Sequence, residues 1–243
     1  MEARERLCIA LDVPTLREAE KIVDDIADIV GMFKIGLQLY TAEGPRIVNA
    51  IHGLGGRVFL DLKFHDIPNT VAAAAREVVR LNVAMFNLHA SGGLAMMSAA
   101  RQAVLEEADR LGVPAPRVLA VTVLTSISQP QLRNELGVEH ELKSQVLALA
   151  ELAATANLDG VVASPKETQS IRKARGSGFV VVTPGIRPTW AADVADQKRV
   201  TTPSDAIKAG SDILVVGRPV LAANNKRAAA MKIVREIETR VET

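Results

Sequence analysis

Residues 59–71 read Phe59-Leu60-Asp61-Leu62-Lys63-Phe64-His65-Asp66-Ile67-Pro68-Asn69-Thr70-Val71, and they carry three charges, Asp61, Lys63 and Asp66, where a strand runs out. It begins as a strand and ends as the start of a helix. Side chains on a strand repeat with a period of two, so Asp61 and Lys63 share one face. Leu60 and Leu62 then turn the other way, into apolar packing. Asp66 follows in the turn, and Ile67-Pro68-Asn69-Thr70 opens the helix. Alternating charges at the carboxyl end of a strand are costly unless they pair, which makes the cluster a candidate site before it is a packing detail.

Outward from this stretch, short apolar runs alternate with amphipathic helices along the whole chain. The predicted strands are 7–11, 32–35, 58–62, 85–88, 118–123, 160–163, 179–182 and 213–216. Most are uniformly apolar, the pattern of strands buried on both faces. Thr15-Leu16-Arg17-Glu18 has the form of a capping box, and Leu16, Ala19, Val23, Ile26 and Val30 follow at helical spacing. Thr202-Pro203-Ser204-Asp205 is a second helix start, with Pro203 at the first helical position and Gly210 as its stop. Eight strand–helix alternations in 243 residues predict an α/β fold, a closed (β/α)8 TIM barrel rather than an open sheet. There is no linker, low-complexity tract or break in composition, so residues 1–243 are expected to form one barrel domain.

Composition narrows the function. Hydrophobic residues make up 48% of the chain, enough for a full core, and 29 Lys and Arg balance 28 Asp and Glu. No bulk field therefore favours nucleic acid or a membrane surface, and an anionic ligand must be held by a local group of donors. The single cysteine, Cys8, lies in the apolar run Leu7-Cys8-Ile9-Ala10-Leu11 and reads as a small buried hydrophobe. The charged opening, Met1-Glu2-Ala3-Arg4-Glu5-Arg6, is not a signal peptide, and no apolar run is long enough to span a bilayer. The expectation is a soluble cytoplasmic protein.

Barrels of this kind build their sites from the loops that follow the strands. Those positions are Asp12, Lys34, Asp61, Lys63, Asp66, His89, Thr125, Ser126, Thr183, Arg187, Gly217 and Arg218, a strongly polar set on largely apolar strands. A single rim charge could be half of an ordinary ion pair. Four converging ones, Asp12, Lys34, Asp61 and Lys63, would destabilise the mouth without a use.

Two further segments read as an anion site. Thr183-Pro184-Gly185-Ile186-Arg187-Pro188 follows the seventh strand and Val216-Gly217-Arg218-Pro219 the eighth. The glycines let backbone amides approach a ligand, the arginines can fork onto phosphate oxygens, and this fold commonly binds phosphate there. Two turns with surface arginines are the plainer alternative. From Arg187 to Gln197 no hydrophobic period is visible, and that segment, with the only tryptophan, Trp190, is long enough to act as a lid. His65 has no certain phase with either neighbouring charge, and His89 could be a hydrogen-bonded structural histidine. No His or Cys pair has metal-ligand spacing, and no Gly-x-Gly-x-x-Gly follows a strand.

The rim residues resemble those of the orotidine 5′-phosphate decarboxylase family over essentially the whole chain. The matching segments are Ala10-Leu11-Asp12, Phe33-Lys34-Ile35-Gly36, residues 59–71, His89-Ala90-Ser91-Gly92-Gly93, Val121-Thr122-Val123-Leu124-Thr125-Ser126, residues 183–188, Asp196-Gln197 and Val216-Gly217-Arg218-Pro219. The resemblance implies cofactor-free and metal-free decarboxylation of orotidine 5′-monophosphate to uridine 5′-monophosphate in pyrimidine synthesis. It implies that Lys63 donates the proton, that Asp61 lies beside the departing carboxylate, and that Lys34 and Asp66 complete a charged network. Asp12 and Lys34 would bind ribose hydroxyls, and Thr125 the pyrimidine. Pro184, Arg187, Gln197, Gly217 and Arg218 would hold the phosphate end. Asp66, Ile67 and Thr70 would reach a partner's site, making the active unit a homodimer.

Two rivals remain. Magnesium-dependent sugar-phosphate barrels share the Asp-x-Lys-x-x-Asp strand but carry a metal-binding Glu after the second strand, where Lys34 stands here. A non-catalytic nucleotide-binding barrel would not need the strained Asp61-Lys63-Asp66 set.

Overall fold

The apolar runs form strands because each is too short for a helix and is closed by a polar turn. The computed structural model describes residues 1–191 and 201–241. Among these residues the strands are β1 (Leu7–Ala10), β2 (Met32–Gly36), β3 (Val58–Phe64), β4 (Met85–His89), β5 (Arg117–Val121), β6 (Gly160–Val162), β7 (Val180–Pro184) and β8 (Ile213–Val216). Each pairs in parallel with the next, and β8 returns to β1, so the sheet closes into a barrel without an edge.

Helices follow each strand in sequence: α1 (Leu16–Ile26), α2 (Leu37–Glu43), α3 (Arg46–Gly53), α4 (Pro68–Arg80), α5 (Gly93–Leu111), α6 (Gln129–Asn134), α7 (Leu142–Thr155), α8 (Pro165–Arg175), α9 (Pro203–Lys208), α10 (Arg218–Leu221) and α11 (Lys226–Val241). Thr15 caps α1 by accepting the Glu18 N–H at 3.3 Å, and Ala19, Ile22, Val23 and Ile26 form its buried stripe. Thr202 caps α9 through the Asp205 N–H at 3.1 Å, with Pro203 in its first turn. The α9 helix ends at Lys208, and Gly210 follows with a φ of 101°.

Two apolar layers result. Alternate residues of every strand, among them Cys8, Met32, Phe59, Met85, Leu119, Val162, Val182 and Ile213, pack inside the barrel. The intervening residues, such as Ile9, Phe33, Leu60, Phe86 and Leu214, face the helices in the larger cluster. Inside the barrel, burial pushes the Cys8 thiol well above its ordinary pKa, so it packs as a hydrophobe.

Two aspartates at the strand starts tie helices to the barrel in the same way. Asp159 accepts the Val118 N–H at 2.7 Å and Arg101 of α5 at 2.9 Å. Asp212 accepts the Val181 N–H at 2.8 Å and pairs with Arg172 of α8. A third ionic seam joins α4 to α5: buried Glu107 accepts from Arg80 at 2.8 Å and from Arg110 at 2.7 Å, and Arg76 reaches Glu106 at 2.9 Å. Paired arginines are what allow a carboxylate to be buried there. No described helix is long and apolar enough to cross a membrane.

Strand positions match the sequence reading to within two residues. The instructive difference is β3, which runs two residues past the expected end at Leu62 because the chain does not leave the sheet at Lys63; it bulges.

Candidate functional site

Pairing between β3 and β4 is regular from Phe59 to Leu60 and resumes at Phe64, and the register shifts between. Lys63, inside the shift, has a φ of 53°, a left-handed conformation that a non-glycine residue adopts only under constraint. Asp61 and Lys63 do meet, but not as partners on a flat strand. The bulge aims Lys63 Nζ at Asp61 Oδ1, 2.6 Å away.

Lys34, on β2, extends the pairing. Its Nζ lies 3.2 Å from Asp61 Oδ2 and 3.3 Å from Asp12 Oδ1, so the order of charges is Asp12, Lys34, Asp61, Lys63. Lys34 and Asp61 are largely enclosed, with side chains 12% and 11% exposed, whereas that of Asp12 is 60% exposed. Burial works against the Lys34 ammonium, but Asp61 and Asp12 overcome it and hold its pKa above the ordinary lysine value. Gly36 leaves room for this contact, since a Cβ there would sit 3.0 Å from Lys34 Nζ.

The charges line one wall of a cleft at the C-terminal mouth of the barrel. Its inner part, about 220 Å³, is bounded by Asp61, Lys63, Thr125 and the apolar side chains of Phe59, Val121 and Val162. Its outer part, about 440 Å³, is bounded by Asp12, Gly185, Arg187, Gly217 and Arg218. Lys34, Pro184 and Val215 line both, so the two parts are neighbours. The inner end suits a flat, partly apolar ring beside fixed charges, and the outer end suits an anion. Gly185 has a φ of 77°, which only glycine adopts at no cost. Past Arg187 the chain is tied back to the body, with Lys232 of α11 over the Trp190 ring at 4.8 Å.

Most of the expected residues come together here: Asp12, Lys34, Asp61, Lys63, Thr125, Pro184, Arg187, Gly217 and Arg218. Asp66, Ile67 and Thr70 do not line either part of the cleft. All three are exposed; Asp66 Oδ1 accepts its neighbour's N–H, from Ile67, at 2.6 Å, and Ile67 is 67% exposed. Thr183 is not a rim residue. It faces the helices, fully buried, and shares a hydrogen bond of 2.6 Å with Ser211. Gln197 lies outside the described residues, as does all of the expected lid beyond Ala191.

Sequence reasoning passed over Asn87. Its Oδ1 accepts the Lys63 N–H at 2.8 Å, and its Nδ2 donates to Asp61 Oδ1 at 2.7 Å. The signal was a lone amide in the otherwise apolar run Met85-Phe86-Asn87-Leu88. Nearby, the His65 and His89 rings lie 5.5 Å apart. Burial, with the charges of His65 and Lys63, pushes the His89 pKa below its ordinary value, favouring the neutral ring.

Comparison with known proteins gives a consistent picture. The model of the family described as "Orotidine 5'-phosphate decarboxylase / HUMPS family" matches residues 5–233. The orotidine 5′-phosphate decarboxylase of Moorella thermoacetica is 54% identical over 238 residues, covering 98% of this chain and 94% of that protein. That of Syntrophomonas wolfei subsp. wolfei is 53% identical over 239 residues, covering 98% and 100%. Among solved structures, orotidine 5′-phosphate decarboxylase from Lactobacillus acidophilus superposes with a TM-score of 0.82 at 35% identity, covering 95% of this chain and 98% of that one.

Proposed function

The chain belongs to the orotidine 5′-phosphate decarboxylase / HUMPS family, and on that premise we propose that it converts orotidine 5′-monophosphate to uridine 5′-monophosphate and carbon dioxide, with Lys63 as the proton donor. The reaction makes it a carboxy-lyase of pyrimidine biosynthesis. The observation that carries the reading is the ordered set Asp12, Lys34, Asp61, Lys63 along one wall of a cleft whose far end carries Arg187 and Arg218.

In this reading the carbon–carbon bond to the carboxylate breaks, and its electron pair stays on the ring carbon. That carbanion lies in the ring plane and cannot spread into the π-system, so it needs a nearby positive charge and a ready proton. The Lys63 ammonium supplies both, and solvent reprotonates the amine afterwards. Asp61 sits where the substrate carboxylate would approach, and this like-charge contact is relieved as carbon dioxide departs. Asp12 and Lys34 hold the ribose hydroxyls, Thr125 meets the pyrimidine, and Pro184, Arg187, Gln197, Gly217 and Arg218 hold the phosphate. Binding energy from the phosphate, remote from the reacting carbon, can then be expressed in the chemical step.

The exposed stretch Asp66, Ile67 and Thr70 supports a homodimer in which these residues reach the partner's cleft. We place the enzyme in the cytoplasm, as one catalytic barrel domain working without a cofactor. The Lys34 ammonium lies between two carboxylates, where a magnesium-dependent relative would put its cation, and this favours the metal-independent reaction.

The direct test follows the ultraviolet loss of orotidine 5′-monophosphate with purified protein, with and without EDTA. Rapid conversion unaffected by EDTA is expected. Conversion abolished by EDTA would favour the magnesium-dependent rivals. A folded protein that binds uridine 5′-monophosphate without converting the substrate would be a binding module.

A further inference from the structure

We propose that Asn87 is the positioning residue of this site: its side-chain amide replaces the strand ladder opposite the β3 bulge and so fixes where the Lys63 ammonium and the Asp61 carboxylate meet. The inference rests on the reading of Lys63 as the proton donor. Between the pairs Leu60–Phe86 and Phe64–Leu88, β3 advances four residues while β4 advances two. The surplus residues of β3 have no ladder partner, and their polar groups must be satisfied by something else.

Asn87 is the one β4 residue inside that gap, and it is 1% exposed. Its Oδ1 takes the N–H of left-handed Lys63, and its Nδ2 binds the same Asp61 oxygen that Lys63 Nζ touches. The other Asp61 oxygen faces Lys34 Nζ at 3.2 Å. One rigid planar amide thus holds the main chain of one reacting group and the carboxylate of the other. An asparagine kept only to fill the core would be satisfied by any donor and acceptor; both partners here belong to the chemistry. A neutral amide also donates at every pH, unlike an acid or a histidine at the same place.

The test compares Asn87→Leu and Asn87→Asp with the parent and with Lys63→Ala. The readouts are kcat, KM, the Kd of uridine 5′-monophosphate, the pH profile of kcat, and a thermal melt. In Asn87→Leu, which fills the same space without hydrogen bonds, kcat should fall about 100-fold, the loss a misplacement of about 1 Å produces. KM and product affinity should stay within about threefold, since the phosphate and ribose contacts are untouched. Asn87→Asp keeps an acceptor for the Lys63 N–H but sets a carboxylate against Asp61. The acid limb of its kcat profile should move up by roughly one pH unit, through like-charge repulsion.

A kcat in Asn87→Leu within about threefold of the parent would overturn the proposal, as would a parallel loss of kcat and product affinity. Where Asn87→Leu does not fold, Asn87→Asp decides, and an unshifted acid limb overturns the proposal. Near-normal turnover in Lys63→Ala would instead remove the proton-donor reading on which the proposal stands. An inactive Lys63→Ala beside normal Asn87 variants would remove the positioning role alone.

Discussion

Lys63 Nζ contacts Asp61 Oδ1 at 2.6 Å because the backbone at Lys63 is left-handed, not because the two residues share a regular strand face. The left-handed turn shortens the path between two side chains that a flat strand would hold roughly 7 Å apart. Carboxylate and ammonium are therefore fixed against each other before any substrate arrives, and the site carries little reorganisation into the reaction.

Removing the ammonium tests this arrangement directly. Lys63→Ala should lower kcat by at least about 10³-fold, within the range attributed to a positioned general acid. The fold should survive, since the Lys63 side chain is 28% exposed and most of the barrel core lies elsewhere. Circular dichroism melts and the ultraviolet assay on the same sample separate lost chemistry from lost structure.

At the outer end of the cleft, Arg218→Ala removes a charge-assisted contact to the proposed phosphate. A lost charged hydrogen bond costs about 1.5–3 kcal/mol, so kcat/KM should fall roughly 10- to 150-fold. Arg218→Lys should recover only part of this, because an ammonium cannot fork across two phosphate oxygens. Steady-state kinetics in substrate decide, and an unchanged kcat/KM would remove Arg218 from the phosphate site.

The proposed partner contact has its own test. Ile67 is 67% exposed at the head of α4, beside Asp66 and Thr70, which the proposed dimer would bring to the partner's cleft. Ile67→Glu should convert a dimer to monomer in sedimentation and cause kcat to fall with it. A variant that stays dimeric and active would take Ile67 out of the interface.

Acid stability should depend on the α4–α5 seam. Hydrogen bonds from Arg110 and Arg80 lower the Glu107 pKa from 4.5 to about 2. The unfolded chain then binds the extra proton between these two values, so the contribution to stability is complete above pH 4.5 and is lost as the pH falls towards 2. Urea unfolding at several pH values should show the parent more stable than Glu107→Gln near neutrality, with the difference closing towards pH 2. A difference that does not vary with pH would mean the seam does not act through this ionisation.

Barrel closure has a tight point at Gly160, where an added Cβ would overlap the Val180 carbonyl oxygen across the β6–β7 pair. Backbone atoms of a closed sheet cannot step aside as a flexible side chain can. Gly160→Ala should destabilise the protein by about 3 kcal/mol, measurable as a lower denaturation midpoint with an unchanged slope.

Read alone, the sequence determined the barrel and most of the rim. Uniform apolar runs at eight places left both strand faces dry, as in any parallel sheet covered by helices, and eight strand–helix units in 243 residues pointed to its closed form. Asp12, Lys34, Asp61, Arg187 and Arg218 were legible because each is a charged residue within or just after an otherwise apolar strand, and local pattern carries that information. Tertiary structure decided the rest. The bulge at Lys63, the amide of Asn87 facing it, and the burial of Thr183 against Ser211 depend on which residue of one strand stands beside which residue of the next. Periodicity along a single strand says nothing of that register, which closure of the whole barrel sets.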